Sequence, residues 1–89
     1  MIRMLIVDDE RIDREGVAYL VKKFEFPIQT YMADSVDEAV AMLEEQDFDI
    51  LFTDIWMPGR TGLDLIRESK NLHPDLQCII YSAYGEFEY

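Results

Sequence analysis

Met4-Leu5-Ile6-Val7-Asp8-Asp9-Glu10 decides the fold. Four apolar residues run without a break and stop abruptly at three acids. A strand with one wet face would alternate apolar and polar side chains. A run that is apolar on both faces suits a parallel strand covered by helices on both sides. The carboxyl ends of such strands are also where open α/β sheets hold their ligands. These seven residues therefore indicate both the layer arrangement and the place to look for chemistry.

The rest of the chain repeats the theme outward from this point. Ile12, Gly16, Val17, Leu20, Val21 and Phe24 come next at helical spacing, and Pro27 closes that region. Ile28 to Met32 reads as a short second strand. Ser35-Val36-Asp37-Glu38 is a capping-box pattern, in which the Ser35 hydroxyl accepts from the Glu38 N–H and the Glu38 side chain reaches back to the Ser35 N–H. Val36, Ala39, Val40 and Leu43 then mark one face of an amphipathic helix. Phe48 and Ile50-Leu51-Phe52-Thr53 form a third strand ending at Asp54. Pro58, Gly59 and Gly62 punctuate a loop. A third helix puts Gly62, Leu65, Ile66, Ser69 and Leu72 on one face and ends at His73-Pro74. Cys78-Ile79-Ile80-Tyr81 is a fourth strand, succeeded by Ser82-Ala83-Tyr84-Gly85, and the chain closes at Tyr89 where a further helix would start. Alternating strands and helices with connections of this length give parallel pairing through right-handed crossovers, so the class is α/β.

Composition bounds the function. The chain has 89 residues, enough for one domain, 1–89. A domain this small buries only about 60–65% of the surface of its unfolded chain. Nineteen acidic residues against eight basic give a net charge of −11. That charge argues against gripping nucleic acid or an anionic membrane, which needs clustered Lys and Arg, and favours metal cations or basic partners. Cys78 is alone, which excludes a disulfide framework and a thiolate metal site. No apolar run approaches the roughly 20 residues of a membrane span, and the N-terminal apolar stretch is too short for a secretory signal. The expectation is a protein of a soluble, reducing compartment.

The residues at the carboxyl end of each strand make up the candidate site. Asp8 and Asp9 stand after the first strand, Asp54 after the third and Ser82 after the fourth. Asp34 stands after the second, which in a doubly wound order lies at the edge. Two carboxylates 4 Å apart repel by roughly 4 kcal/mol at an effective dielectric of about 20. Three on one rim need either a held proton or a cation among them. Hard oxygen ligands without His or Cys favour Mg²⁺ or Ca²⁺ over zinc.

Leu5-Ile6-Val7-Asp8-Asp9-Glu10, Asp54-Ile55-Trp56-Met57-Pro58-Gly59 with Gly62-Leu63, and Tyr81-Ser82-Ala83 together resemble the receiver domain of two-component response regulators, in content and spacing, over the whole chain. The closing Ser82-Ala83-Tyr84-Gly85-Glu86-Phe87-Glu88-Tyr89 is similar to regulators with an AraC-type DNA-binding output domain. The resemblance implies a flavodoxin-like doubly wound sheet in the order 2-1-3-4, without the fifth strand and final helices of the family, so a receiver-like domain incomplete at its C-terminus. It implies Asp54 as the phosphoacceptor for a sensor histidine kinase, and Mg²⁺ held by Asp9, Asp54 and the Trp56 backbone carbonyl, with Asp8 acting largely through a metal-bound water. It implies that Ser82 hydrogen-bonds the phosphoryl group and serves as the switch, and that the protein is cytoplasmic. Any DNA contact would belong to an output domain beyond Tyr89. The family also carries a lysine on its fifth strand that pairs with the phosphoryl group; Lys22, Lys23 and Lys70 lie in or at the end of helical segments and do not replace it.

Two other readings compete. Cys78-Ile79-Ile80-Tyr81 would be an apolar edge strand, an invitation to self-association or domain swapping in a non-signalling fragment. An aspartyl-phosphate phosphohydrolase would carry D-x-D after the first strand, and Asp8-Asp9-Glu10 lacks that spacing. Among the remaining residues, His73 reads as a surface loop residue and Cys78 as a small buried one. Trp56 is bulky enough to gate water access to an acyl phosphate. Asp13 falls in the first turn of the first helix, where a dipole interaction or an extension of the acidic rim are both open. Tyr84, Phe87 and Tyr89 read as frayed or buried against another copy.

Overall fold

A computed structural model describes residues 1–82 of the chain; the expectations placed on Tyr84, Phe87 and Tyr89 lie outside the described residues. The elements alternate as read: β1 Ile2–Val7, α1 Arg11–Lys23, β2 Ile28–Ala33, α2 Val36–Glu45, β3 Ile50–Asp54, α3 Gly62–Leu72 and β4 Gln77–Tyr81. All three strand pairs are parallel and the order is β2-β1-β3-β4. This is the doubly wound, flavodoxin-like order 2-1-3-4.

β1 is central, which explains its unbroken apolar run. Successive side chains alternate between faces. Leu5 and Val7 enter a core with Val36, Ala39, Leu43, Leu51 and Leu65 beneath α2 and α3. Met4 and Ile6 enter a smaller core with Val21 beneath α1. Each fully buried Leu or Ile contributes roughly 1.5–3 kcal/mol relative to an exposed one. The two cores thus pin β1, and with it the start of the acidic run, from both sides.

The lower rim is closed by polar contacts. Asp49 and Arg3 are joined by two hydrogen bonds across β3 and β1: the Asp49 N–H donates to the Arg3 carbonyl at 2.8 Å, and its carboxylate accepts from the Arg3 N–H at 2.8 Å. The Arg3 guanidinium lies 4.9 Å from the Tyr31 ring centre and 5.1 Å from that of Phe48, within cation–π range.

Several local expectations need correction. The α1 face that should be buried is largely wet: Ile12 is 83% and Phe24 61% exposed, and Val21 alone of the helix is buried. No described element packs on that outer side, so helical periodicity outlasts burial. At α2 the Ser35 hydroxyl accepts from the Glu38 N–H at 3.1 Å as the pattern requires, but the Glu38 carboxylate takes the Asp34 N–H at 3.0 Å instead of that of Ser35. The complete reciprocal box is at α3, between Thr61 and Asp64. His73 is a tie between helices, not a loose loop residue: it caps α3, and its Nε2 lies 2.7 Å from the Leu43 carbonyl in α2. Cys78 is half-buried against the main core, and Leu72 turns outward.

Candidate functional site

Strand register assembles the site. Val7 pairs with Thr53, and Asp54 with Tyr81. One step beyond Val7, Asp8 therefore lies in a row with Asp54 and Tyr81, directly above the row Ile6, Phe52, Ile79. Period-two alternation sends all three side chains to the α1 face at the carboxyl rim. Asp9 comes next, on the β1–α1 connection. One carboxylate oxygen from each of Asp8, Asp9 and Asp54 lies within 4.8 Å of the others. Asp8 is fully buried, Asp54 is 3% exposed and Asp9 is open to solvent.

The backbone fixes these acids. Asp8 is no helix cap: its Oδ1 accepts the Glu10 N–H at 2.9 Å, a turn that redirects the chain into α1. Arg14, one helical turn on, donates from Nη1 to the Asp8 carbonyl at 2.8 Å. The Thr53 hydroxyl donates to the Asp54 carbonyl at 2.9 Å. Beyond Asp54, the Ile55 N–H donates to the Tyr81 carbonyl at 3.0 Å and the Gly62 N–H to the Ile55 carbonyl at 2.9 Å, which draws the start of α3 onto the end of β3. Arg60 secures the intervening loop to Asp37 of α2 and Glu68 of α3.

Electrostatics result from this crowding. Burial pushes the Asp54 carboxyl above its usual range, and the charges of Asp8 and Asp9 push the same way, while the N–H groups of Trp56 and Ile55 oppose. Among the described residues no ion pair reaches the three carboxylates. All-oxygen donors, two of them buried and none neutralised by an ion pair, fit a hard divalent cation such as Mg²⁺.

The flanking candidates surround this cluster unevenly. The Trp56 N–H makes a long, 3.4 Å contact with Asp54 Oδ1, and its indole is 51% exposed at the mouth. Ser82 comes immediately after β4 and is partly buried. Asp13 lies in the first turn of α1, and its charge adds a small upward push on the Tyr81 hydroxyl. Asp34 is exposed beyond the edge strand β2. A groove of about 450 Å³ between Tyr19, Lys22, Phe26 and Thr30 contains none of the three aspartates.

One residue at the site escaped the sequence reading. Tyr81 donates its hydroxyl proton to Asp8 Oδ2. Its ring lies on Phe52, with centres 4.8 Å apart. Burial above all, then the bond to Asp8 and the surrounding carboxylates, push the phenol far up, so it stays a donor. Register was the signal that could have found it, because Tyr81 shares its row with Asp54 and Asp8. A tyrosine side chain spans the roughly 9.6 Å of two strand spacings only by leaning across β3.

Comparison with known proteins agrees with this geometry. The model of the response regulator receiver domain family matches residues 4–89. An uncharacterised response regulatory protein of Staphylococcus epidermidis is 39% identical over 90 aligned positions, which cover all of this chain and 35% of that protein. The chain thus spans about a third of the length of that curated relative. The response regulator TrrA of Thermotoga maritima, solved in complex with Mg²⁺-BeF, superposes with a TM-score of 0.88 at 28% identity, covering 99% of this chain and 75% of that one. An AraC two-component transcriptional regulator from Clostridium phytofermentans superposes equally well, with a TM-score of 0.88 at 31% identity over 100% of this chain and 73% of that one. TrrA has also been solved in complex with the histidine kinase ThkA. With three carboxylates at the ends of β1 and β3 of a 2-1-3-4 sheet, and a family model matching nearly the whole chain, the protein belongs to the response regulator receiver domain family of two-component signalling.

Proposed function

We propose that Asp54 accepts a phosphoryl group from a phosphohistidine of a partner kinase, in a pocket that holds Mg²⁺. The observation that carries this reading is the convergence of one oxygen each from Asp8, Asp9 and Asp54 within 4.8 Å, at the carboxyl end of adjacent strands. An Asp54 carboxylate oxygen attacks phosphorus, the N–P bond breaks, and the electron pair leaves with the imidazole nitrogen, which takes up a proton. The product is an acyl phosphate on Asp54. Mg²⁺ bound there would supply neutralisation of the negative charge that phosphoryl transfer brings to these carboxylates. Asp9, Asp54 and the Trp56 carbonyl are the residues to hold it, with Asp8 acting through water. The half-exposed Trp56 indole screens the acyl phosphate from bulk water, and Ser82 donates its hydroxyl to a phosphoryl oxygen. The TrrA–ThkA complex supports a histidine kinase as the donor class, and the regulator from C. phytofermentans supports transcription as the output.

Two results are expected. Millimolar Mg²⁺ raises the melting temperature, because binding to the folded state alone stabilises it by about 2.7 kcal/mol at a hundredfold excess over Kd; Asp9→Asn removes the shift. Acetyl phosphate with Mg²⁺ adds one phosphoryl group by intact mass, and borohydride trapping maps it to Asp54. A protein that gains no mass and melts at the same temperature with and without Mg²⁺ would overturn this function.

A further inference from the structure

Asp8 is the most constrained of the three acids. It is fully buried, its Oδ1 accepts the Glu10 N–H at 2.9 Å and its Oδ2 accepts the Tyr81 hydroxyl. Tyr81 is held in turn by its ring contact with Phe52, and Phe52 packs on the core beneath α1. Asp9 has no comparable partner from β4 and faces solvent. Asp54 Oδ1 receives a long contact from the Trp56 N–H. The rim is thus asymmetric: one of its three carboxylates already has a donor on each oxygen, and one of those donors comes from a strand two places away.

We propose that Tyr81 is a positioning residue that competes with the cation for Asp8. A hydroxyl proton on Oδ2 draws off part of the charge that would attract a divalent ion, and it turns its positive end toward the ion's place. Asp8 is thereby held back from direct coordination, and the ion rests chiefly on Asp9 and Asp54. Where the ion takes Oδ2 outright, the Tyr81 bond breaks; where a water intervenes, the bond survives but the carboxylate attracts less. In both cases the hydroxyl lowers affinity. Its second effect is the opposite in sign: without metal it compensates a buried charge, and so stabilises the empty fold. Tyr81 therefore sets how much Mg²⁺ the domain needs while protecting it when Mg²⁺ is scarce. The inference rests on the metal reading of the three aspartates.

Tyr81→Phe keeps the ring and its contact with Phe52 and removes only the hydroxyl. Metal-free Tyr81→Phe is expected to melt below the parent. Its Mg²⁺ Kd, read from Trp56 fluorescence, is expected to be about 3- to 30-fold lower, since one hydrogen bond to a charged group is worth at most about two tenfold steps. A hydroxyl that merely organised the pocket would give the reverse, so an equal or higher Kd overturns the proposal. Asp9→Asn, measured alongside, separates the two readings: a parent that responds to Mg²⁺ in an Asp9-dependent way, with no tightening in Tyr81→Phe, defeats the competition alone, whereas no response in either protein defeats the metal reading and the competition with it. If Tyr81→Phe does not fold, the ¹³Cζ resonance of Tyr81 in the unaltered protein decides. It is expected to move on saturation with Mg²⁺, and a stationary resonance overturns the proposal.

Discussion

Asp54→Asn is expected to melt several degrees above the parent at pH 7 in EDTA, while accepting no phosphoryl group at all. Asp54 is 3% exposed and faces the oxygens of Asp8 and Asp9 within 4.8 Å. Two such charges repel by about 3–4 kcal/mol at an effective dielectric of about 20, and burial penalises the charge further. An amide is nearly the same shape, still accepts from the Trp56 N–H and carries no charge. Each kcal/mol relieved raises the melting temperature of a domain this size by about 4–8 °C. The pH dependence has a definite sign. The folded carboxyl titrates above its ordinary value of 3.8, so the fold binds that proton more tightly than the unfolded chain does. The penalty is absent below the ordinary value, grows as pH rises towards the raised one, and is complete above it. The advantage of Asn should therefore vanish below the ordinary value of 3.8 and grow as pH rises through the raised one. Mg²⁺ should narrow it, by stabilising the parent more than the variant. Equal melting temperatures at pH 7 without metal would mean that the three acids do not repel as their spacing requires. A phosphoryl group trapped on Asp54→Asn would remove Asp54 as the acceptor.

The parts of this site that were legible are those whose signal is local in sequence. Met4 to Val7 is apolar on both faces because β1 is flanked by β2 and β3 and covered on both sides, and a fully covered strand must write that fact into consecutive residues. Asp8, Asp9 and Asp54 stand at the ends of such runs, so the strand reading finds them. Tyr81 was not legible as a site residue, because an apolar strand ending in tyrosine is ordinary; its role exists only through the Asp54–Tyr81 register and the row that continues to Asp8. Helix α1 misleads for the complementary reason. Ile12, Leu20 and Phe24 keep helical spacing, yet periodicity reports which residues share a face and not whether anything covers it. His73 is a third case. Its place before Pro74 announces the end of α3, but its contact with the Leu43 carbonyl is 30 residues distant in sequence. Fold class and acids are thus written in runs, whereas hydrogen bonds between runs are written only in three dimensions.

Gly62→Ala should be among the most damaging small substitutions in the chain, although helix propensity alone predicts the opposite. Gly62 opens α3, and alanine is preferred over glycine within helices by about 1 kcal/mol. Space decides against it. A Cβ on Gly62 would lie 2.2 Å from the Asp54 carbonyl oxygen and 3.1 Å from both the Asp54 carbonyl carbon and the Ile55 Cα. These are backbone atoms of β3 and the residue after it, not the free end of a side chain. The Gly62 N–H donates to the Ile55 carbonyl at 2.9 Å, so the helix cannot back away without losing that bond. Overpacking of this kind costs about 1–3 kcal/mol or more, a large share of the roughly 5–10 kcal/mol that a domain this size possesses. A fall in melting temperature of about 10–20 °C is expected. The position is also functional in consequence: relief of the clash must move either α3 with its Thr61–Asp64 cap or the Asp54 peptide itself. Any Gly62→Ala protein that remains folded should therefore respond more weakly to Mg²⁺ than its residual stability alone would imply. Gly16→Ala supplies the control. Gly16 lies within α1 with nothing inside 4 Å of its added Cβ, so there propensity should win and stability rise by about 0.5–1 kcal/mol. If Gly62→Ala melted with Gly16→Ala above the parent, α3 would not approach β3 as closely as the Gly62–Ile55 hydrogen bond demands. The tight turn that aims Asp54 into the pocket would then need another cause.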